Sequence, residues 1–124
     1  MYKRQNYVSD ARYAPGTVVV FGGSAEVTVT DQSHDRRVAG VVSTNPAYLM
    51  NSESAGIPIA LTGKVPCSVL GPIRKGDGLV TSSHSGVAEK LNDALYKPGV
   101  MIGKSLEDHA DPVIKTIMIS IGRF

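Results

Sequence analysis

Several residue types that carry a specific chemistry are scarce in this chain. Its 124 residues include a single cysteine, Cys67, and no tryptophan. One cysteine excludes an intrachain disulfide and a zinc site built from several thiolates. We interpret Cys67 as a small buried hydrophobic residue, because Val65, Pro66 and Val69 around it are apolar. The lack of tryptophan also weakens any case for glycan binding, which usually relies on aromatic platforms.

Net charge and long apolar runs are limited as well. Thirteen basic residues stand against 11 acidic residues, a formal net charge of +2. That excess is too small to predict a nucleic-acid or membrane surface. The longest apolar runs, such as residues 18–21, are far shorter than the roughly 20 residues of a membrane span, and the polar start is not a secretory signal. We therefore expect one globular domain with neither nucleic acid nor membrane as a partner.

β-branched residues dominate the apolar fraction. The chain has 15 Val and 8 Ile against 7 Leu and 4 Met, with 13 Gly and 7 Pro spread along it. This composition is typical of short strands joined by tight turns. We predict an all-β fold, a compact β-barrel or β-clip-like domain with at most one or two short helical turns. One such turn is expected at residues 45–50, where Asn45 is a helix cap and Pro46 the first helical residue.

The second half of the sequence resembles the first. Gly76 follows Gly16 by 60 positions, Gly103 follows Gly40 by 63, and Gly122 follows Gly63 by 59. We interpret this spacing as two pseudo-repeats of about 60 residues, at 15–70 and 73–124, which interlock into one domain. Residues 1–14 are polar and form an N-terminal arm. Because such an arm usually frays unless something holds it, we expect a neighbouring subunit to hold it.

No catalytic motif stands out from the residues alone. His34, His84 and His109 lie in polar turns without metal-ligand spacing, so we predict solvated histidines and no metal site or cofactor. The segment 82–86 contains serine and histidine but lacks the Gly-x-Ser-x-Gly elbow of a hydrolase, and we predict a polar turn there. The glycine-rich segments 21–24 and 75–78 do not precede a helix and do not match a phosphate-binding loop.

Five stretches in a shared order resemble one known module. They are residues 13–23, 34–51, 56–71, 75–88 and 98–107, and the likeness extends over residues 7–124. In their pattern they are similar to the peptidase G2-type domain, the autoproteolytic intramolecular chaperone at the C-terminus of tailed-phage neck appendages and tail fibres. The resemblance implies a trimeric β domain that ends a fibre and helps the upstream trimer to form. It also implies a location in the virion, after assembly in the cytoplasm of the bacterial host.

Cleaving members of that family cut near the start of the domain. Ser9-Asp10 stands at the matching location, where an aspartate carboxylate would assist attack on its neighbouring peptide bond. The four residues that follow, at 11–14, contain no further acidic group for acid–base chemistry. Self-cleavage at Ser9 and Asp10 is therefore an alternative to a purely structural role. The other alternative is that Ser9-Asp10 is an ordinary polar pair in the arm with no chemical role.

Our leading hypothesis is a phage or prophage fibre-terminal domain whose partners are two further copies of itself and an upstream fibre segment. Aromatic residues and methionine are enriched at protein interfaces. The predicted interface residues are Tyr2, Tyr7, Val8 and Tyr13 of the arm and Tyr48, Leu49 and Met50 of the helical turn. The last three alternatively plug one end of the barrel. A third hypothesis is a module that binds a glycan or host-surface receptor.

Overall fold

The computed structural model of this chain describes residues 3–11, 13–43 and 56–122. Within these residues the only helical element is one 3-10 turn, so the predicted all-β class is confirmed. The predicted helical turn at residues 45–50 lies outside the described residues. In chain order the elements are β1 (Lys3–Val8), β2 (Val18–Phe21), β3 (Val27–Val29), β4 (Val38–Val42), β5 (Gly56–Leu70), β6 (Gly78–Thr81), β7 (Ala88–Lys90), the 3-10 helix (Asp93–Leu95), β8 (Met101–Ser105) and β9 (Ile114–Ile121).

The 15-residue strand β5 connects the two halves of the fold. Its first part pairs with β1 and β4, and its second part pairs with β7 and β9. In the second part buried Val65, Cys67 and Val69 alternate with exposed Lys64 and Pro66. This period of two is what a strand with one face on a core requires.

The C-terminal half is a closed barrel of five strands. β5 pairs with β9, β9 with β8, β8 with β6 and β6 with β7. A parallel pairing of Val69 with Ala88 joins β7 back to β5 and closes the circuit. We call these five strands the C-terminal barrel. The larger apolar cluster includes Ile73, Leu79 and Ile119 of this half, each at most 1% exposed. It extends into the N-terminal half through Val18, Val41 and Ala60.

The N-terminal half has the same strand order. β1 pairs with β5, β5 with β4, β4 with β2 and β2 with β3. An isolated parallel bridge between Ser9 and Val27 connects β3 back to the end of β1. We call these strands the N-terminal barrel. A smaller cluster of Val19, Val27 and neighbouring apolar residues lies inside it.

Equivalent backbone hydrogen bonds recur in the two barrels about 60 positions apart. Gly16 N–H donates to Val42 O and Gly76 N–H donates to Ser105 O, both over 2.8 Å. In the reverse direction, Val42 N–H donates to Thr17 O over 2.9 Å and Ser105 N–H donates to Asp77 O over 3.0 Å. The recurrence follows the offsets of 60 and 63 residues that the glycines of the sequence indicate.

The equivalence begins earlier in the chain than the sequence pattern does. Arg4 of β1 pairs with Ala60, and 60 positions later Lys64 of β5 pairs with Ser120. Most of the stretch expected to be an arm is therefore the first strand of the N-terminal barrel. Strand β5 of the same chain holds it, where we expected a neighbouring subunit. Its polar sequence, KRQNYV, does not alternate and so gives no strand signal.

Candidate functional site

The candidate cleavage position, Ser9-Asp10, lies where the N-terminal barrel closes. Asp10 N–H donates to Val27 O over 3.3 Å beside the Ser9–Val27 bridge. The Ser9 hydroxyl donates to Ala11 O over 2.6 Å and accepts from Ala11 N–H over 3.3 Å. The Ser9 side chain is thus engaged in a local turn that ends β1.

The Asp10 carboxylate binds two hydroxyl groups. Tyr13 donates to Oδ1 over 2.6 Å and Thr28 donates to Oδ2 over 2.7 Å. These two hydrogen bonds hold the pKa of the Asp10 carboxyl below its usual value of 3.8, since they favour its ionised form. Both oxygens are therefore occupied: the Thr28 contact joins the end of β1 to β3, and the Tyr13 contact is local. In this arrangement Asp10 stabilises the closure of the N-terminal barrel.

The structure places some of the predicted interface residues against the N-terminal core. Tyr7 and Tyr13 are half-buried and pack on the smaller apolar cluster. The Tyr7 ring also meets the exposed Phe21 ring edge-on, with centroids 5.4 Å apart. Val8 is the last residue of β1 and pairs with Gly56. The remaining predicted interface residues, Tyr2, Tyr48, Leu49 and Met50, lie outside the described residues.

A polar cluster that the sequence did not indicate joins the two barrels. Asp35 is buried and makes a two-pronged ion pair with Arg37, whose Nη2 lies 2.9 Å from Oδ2. The hydrogen bonds from Arg37 lower the pKa of the Asp35 carboxyl, although burial acts in the opposite direction. The Asp35 N–H donates to the buried Thr81 Oγ1 over 2.7 Å, and His34 N–H donates to Thr81 O over 3.1 Å. The loop at residues 31–35 of the N-terminal barrel is thereby attached to β6 of the C-terminal barrel.

Ser33, His34 and Glu89 form an arrangement that superficially resembles a catalytic triad. His34 Nε2 accepts from the Asn92 N–H over 3.1 Å, so the proton of the neutral imidazole lies on Nδ1. Nδ1–H then donates to Ser33 Oγ over 2.6 Å, and Ser33 donates to Glu89 Oε2 over 2.7 Å. The histidine is a donor to the serine and does not act as its base, so this relay does not activate a nucleophile. Its contacts attach the loop to the C-terminal barrel.

Two of the three histidines differ from the solvated state that we expected. The His34 side chain is 8% exposed, and His109 is also buried. His109 Nε2 donates to Val113 O over 2.7 Å, which holds the turn before β9. His84 is exposed, as predicted, while Ser82 beside it is buried and donates to Val87 O over 2.7 Å. His34, Ser82 and His109 bond to a partner distant in sequence or to a turn carbonyl, which composition does not reveal.

Cys67 is fully buried, which confirms the prediction of a small hydrophobic residue. Burial raises the pKa of its thiol to about 12, so it is unsuited to nucleophilic chemistry. In the part of the chain that the structure describes, no three His, Cys, Asp or Glu side chains lie close enough to hold a metal ion. The helical segment among the described residues is too short to cross a bilayer.

The surface feature that sequence reasoning missed is a set of exposed large apolar side chains. Phe21, Leu95 and Tyr96 are 43%, 51% and 47% exposed. Val113, Ile114 and Met118 are exposed around β9. The pair Leu95-Tyr96 stands in an otherwise polar stretch, NDALYK, and that contrast is the signal that would have found it.

Comparison with protein-family models and with curated protein sequences finds no match to this chain.

Proposed function

We propose that this chain is the C-terminal structural domain of a phage or prophage tail fibre or appendage, and that it promotes homotrimer assembly. The observation that carries the proposal is the exposure of Phe21, Leu95 and Tyr96 on a double barrel whose polar clusters are satisfied internally. Aromatic and large aliphatic side chains left in water favour association with another apolar surface. The resemblance to the peptidase G2-type module supports the trimeric state and the location in the virion.

The fold suits a domain that sets chains in register. β1 is built into the N-terminal barrel by its pairing with β5. A fibre segment preceding Lys3 would therefore leave from a fixed strand, and three associated domains would present three such starting points at one level. Starting three long chains in step lowers the entropy cost of bringing them together.

The contacts of Asp10 favour structural closure over self-cleavage. Both of its oxygens accept hydrogen bonds, from Tyr13 and Thr28, and the Ser9 hydroxyl bonds to Ala11. We expect a longer chain that includes an upstream segment to keep its full mass over days in intact-mass spectra. Cutting between Ser9 and Asp10 that disappears in Asp10→Ala would instead establish the autoproteolytic alternative.

The assembly role is tested with an upstream fibre segment produced alone and joined to this chain. We expect the joined form to sediment as a trimer and the segment alone to remain largely unassembled. Equal trimer yields with and without the domain would overturn the proposed role. Sedimentation velocity over a tenfold concentration range separates stable trimers from weak association.

A further inference from the structure

The contact between the two barrels is heterologous, because each barrel uses a different surface. The N-terminal barrel contributes the loop at residues 31–35, which joins β3 to β4. The C-terminal barrel contributes the end of β6, where Thr81 accepts hydrogen bonds from the loop, and neighbouring Glu89. Apart from the bond of Asn92 N–H to His34 Nε2, a contact of this kind leaves a second loop on the C-terminal barrel and a second strand end on the N-terminal barrel unused.

The unused counterpart of the loop lies on the C-terminal barrel. Residues 92–97 join β7 to β8, just as residues 31–35 join β3 to β4. Their first hydrogen bonds are equivalent, since Thr30 N–H donates to Val18 O and Leu91 N–H donates to Gly78 O. In this second loop Leu95 is 51% and Tyr96 is 47% exposed. Because Asn92 already bonds to His34, we call residues 93–97 the head loop.

The unused counterpart of Thr81 lies on the N-terminal barrel. Thr81 is the last residue of β6 and pairs with Ala88, and Phe21 is the last residue of β2 and pairs with Val27. Thr81 is fully buried beneath the loop at 31–35, whereas Phe21 is 43% exposed. We call the surface at Phe21, with Tyr7 against its ring, the tail surface.

The glycine turns before β2 and β6 differ in the same way. Gly16 O accepts from Ser68 N–H over 2.9 Å, and a Cβ on Gly16 would lie 3.6 Å from the Ser68 backbone nitrogen. Among the residues that the structure describes, no atom lies within 4 Å of such a Cβ on the equivalent Gly76. The place that β5 takes beside Gly16 is thus open beside Gly76. The residue of β1 equivalent to Ser68 is Val8, because Val8 pairs with Gly56 and Ser68 pairs with Thr116.

We propose that copies of this chain associate head to tail by repeating the contact between their own barrels. Leu95 and Tyr96 of one copy pack on Phe21 of the next, whose β1 lies beside Gly76 of the first copy. This inference rests on the proposed function and identifies its interface. A trimer with cyclic symmetry requires a heterologous interface, and a head-to-tail contact closes into a ring when its rotation permits. The exposed side chains on both surfaces are of the apolar and aromatic kind found at interface centres.

Two variants that each destroy one side of the contact test the proposal. Tyr96→Asp places a charge on the head loop and leaves the tail surface intact. Phe21→Asp places a charge on the tail surface and leaves the head loop intact. The matched control is Val113→Asp, because Val113 is 53% exposed and lies on neither surface. Light scattering after gel filtration should give 13.1 kDa for each interface variant and the wild-type mass for the control. Circular dichroism establishes that all three are folded, and Leu95→Asp and Phe21→Ala replace any variant that is not.

The decisive experiment mixes the two interface variants. The Phe21→Asp copy keeps an intact head loop and the Tyr96→Asp copy keeps an intact tail surface, so one contact per pair can form. We expect a 1:1 dimer of twice 13.1 kDa from two monomeric variants. A mixture that stays monomeric overturns the head-to-tail contact. Folded interface variants that remain trimeric also overturn the head-to-tail contact, but they are compatible with the proposed assembly function. A monomeric wild-type chain overturns both the contact and the assembly function.

Discussion

The two glycines that face the closing strands provide the sharpest test of the repeated architecture. Gly40 in β4 and Gly103 in β8 occupy equivalent positions, since Gly40 pairs with Val19 and Gly103 pairs with Leu79. Each pairing is followed by a shift in register, between Val19 and Val20 and between Leu79 and Val80. At these points β4 lies close to β5 and β8 lies close to β9, which leaves no room for a side chain on either glycine.

A single added methyl group at either glycine would clash with the backbone of the adjacent strand. A Cβ on Gly103 would lie 2.1 Å from Ser120 O and 2.9 Å from the Cα of Ile121. On Gly40 it would lie 2.3 Å from Ala60 O. These atoms belong to the backbone of β9 and β5 and cannot rotate away. Overpacking typically costs about 1–3 kcal/mol, and we expect Gly40→Ala and Gly103→Ala to lose roughly 3 kcal/mol each.

Gly78→Ala is the matched control. Its Cβ would meet the end of the Met101 side chain at 3.0 Å and that of Leu91 at 3.4 Å, and both are flexible. Because alanine also lowers the entropy of the unfolded chain, the control should stay within about 1 kcal/mol of the wild type. Urea unfolding followed by circular dichroism, at one fixed protein concentration, measures all three variants. Equal stability of Gly40→Ala, Gly103→Ala and Gly78→Ala would refute the close approach of these strands.

Three further predictions concern the contact between the barrels and the core. Thr81→Val leaves the buried Asp35 N–H without its acceptor and should lower the free energy of unfolding in urea by about 1–3 kcal/mol. An equal loss in the control Ser83→Ala would count against this role of Thr81. Because the folded-state pKa of Asp35 is lowered, its ionisation stabilises the fold above the usual value of 3.8 and this contribution disappears as the pH falls through the folded pKa. Acid titration of stability should therefore be shallower in Asp35→Asn than in the wild type, and identical profiles would contradict the ion pair with Arg37. Cys67, with a thiol pKa of about 12, should not react with a disulfide reagent at pH 8 until urea unfolds the chain, and rapid labelling of the folded protein would show that it is accessible.

Much of the fold could be predicted from residue types and their spacing. The β-branched runs at residues 17–21 and 37–43 and the partial alternation over residues 57–69 are typical of strands, and they correspond to β2, β4 and β5. Glycines 60 and 63 positions apart indicated the repeat, because turns and close strand approaches in both halves need the same residue. β1 was missed because its residues are mostly polar and because its partner strand is far away in the sequence, with Val8 paired to Gly56 and Lys3 to Thr62.

The clusters between the barrels depended on tertiary contacts that one sequence cannot supply. His34 and Glu89 are 55 positions apart, and the local sequence around neither residue indicates that they share Ser33 as a hydrogen-bond partner. Burial of Asp35 follows from the packing of its loop on β6, while its local sequence is that of an exposed polar turn. The Ser9-Asp10 pair was located by resemblance. Its contact with Thr28 depends on β3 lying beside the end of β1, which the sequence does not indicate.

We propose above all that this double barrel assembles as a trimer. Gel filtration coupled to light scattering on the isolated chain tests this proposal most directly. We expect a mass of three times 13.1 kDa that persists on dilution. A mass of 13.1 kDa at the highest attainable concentration would contradict it.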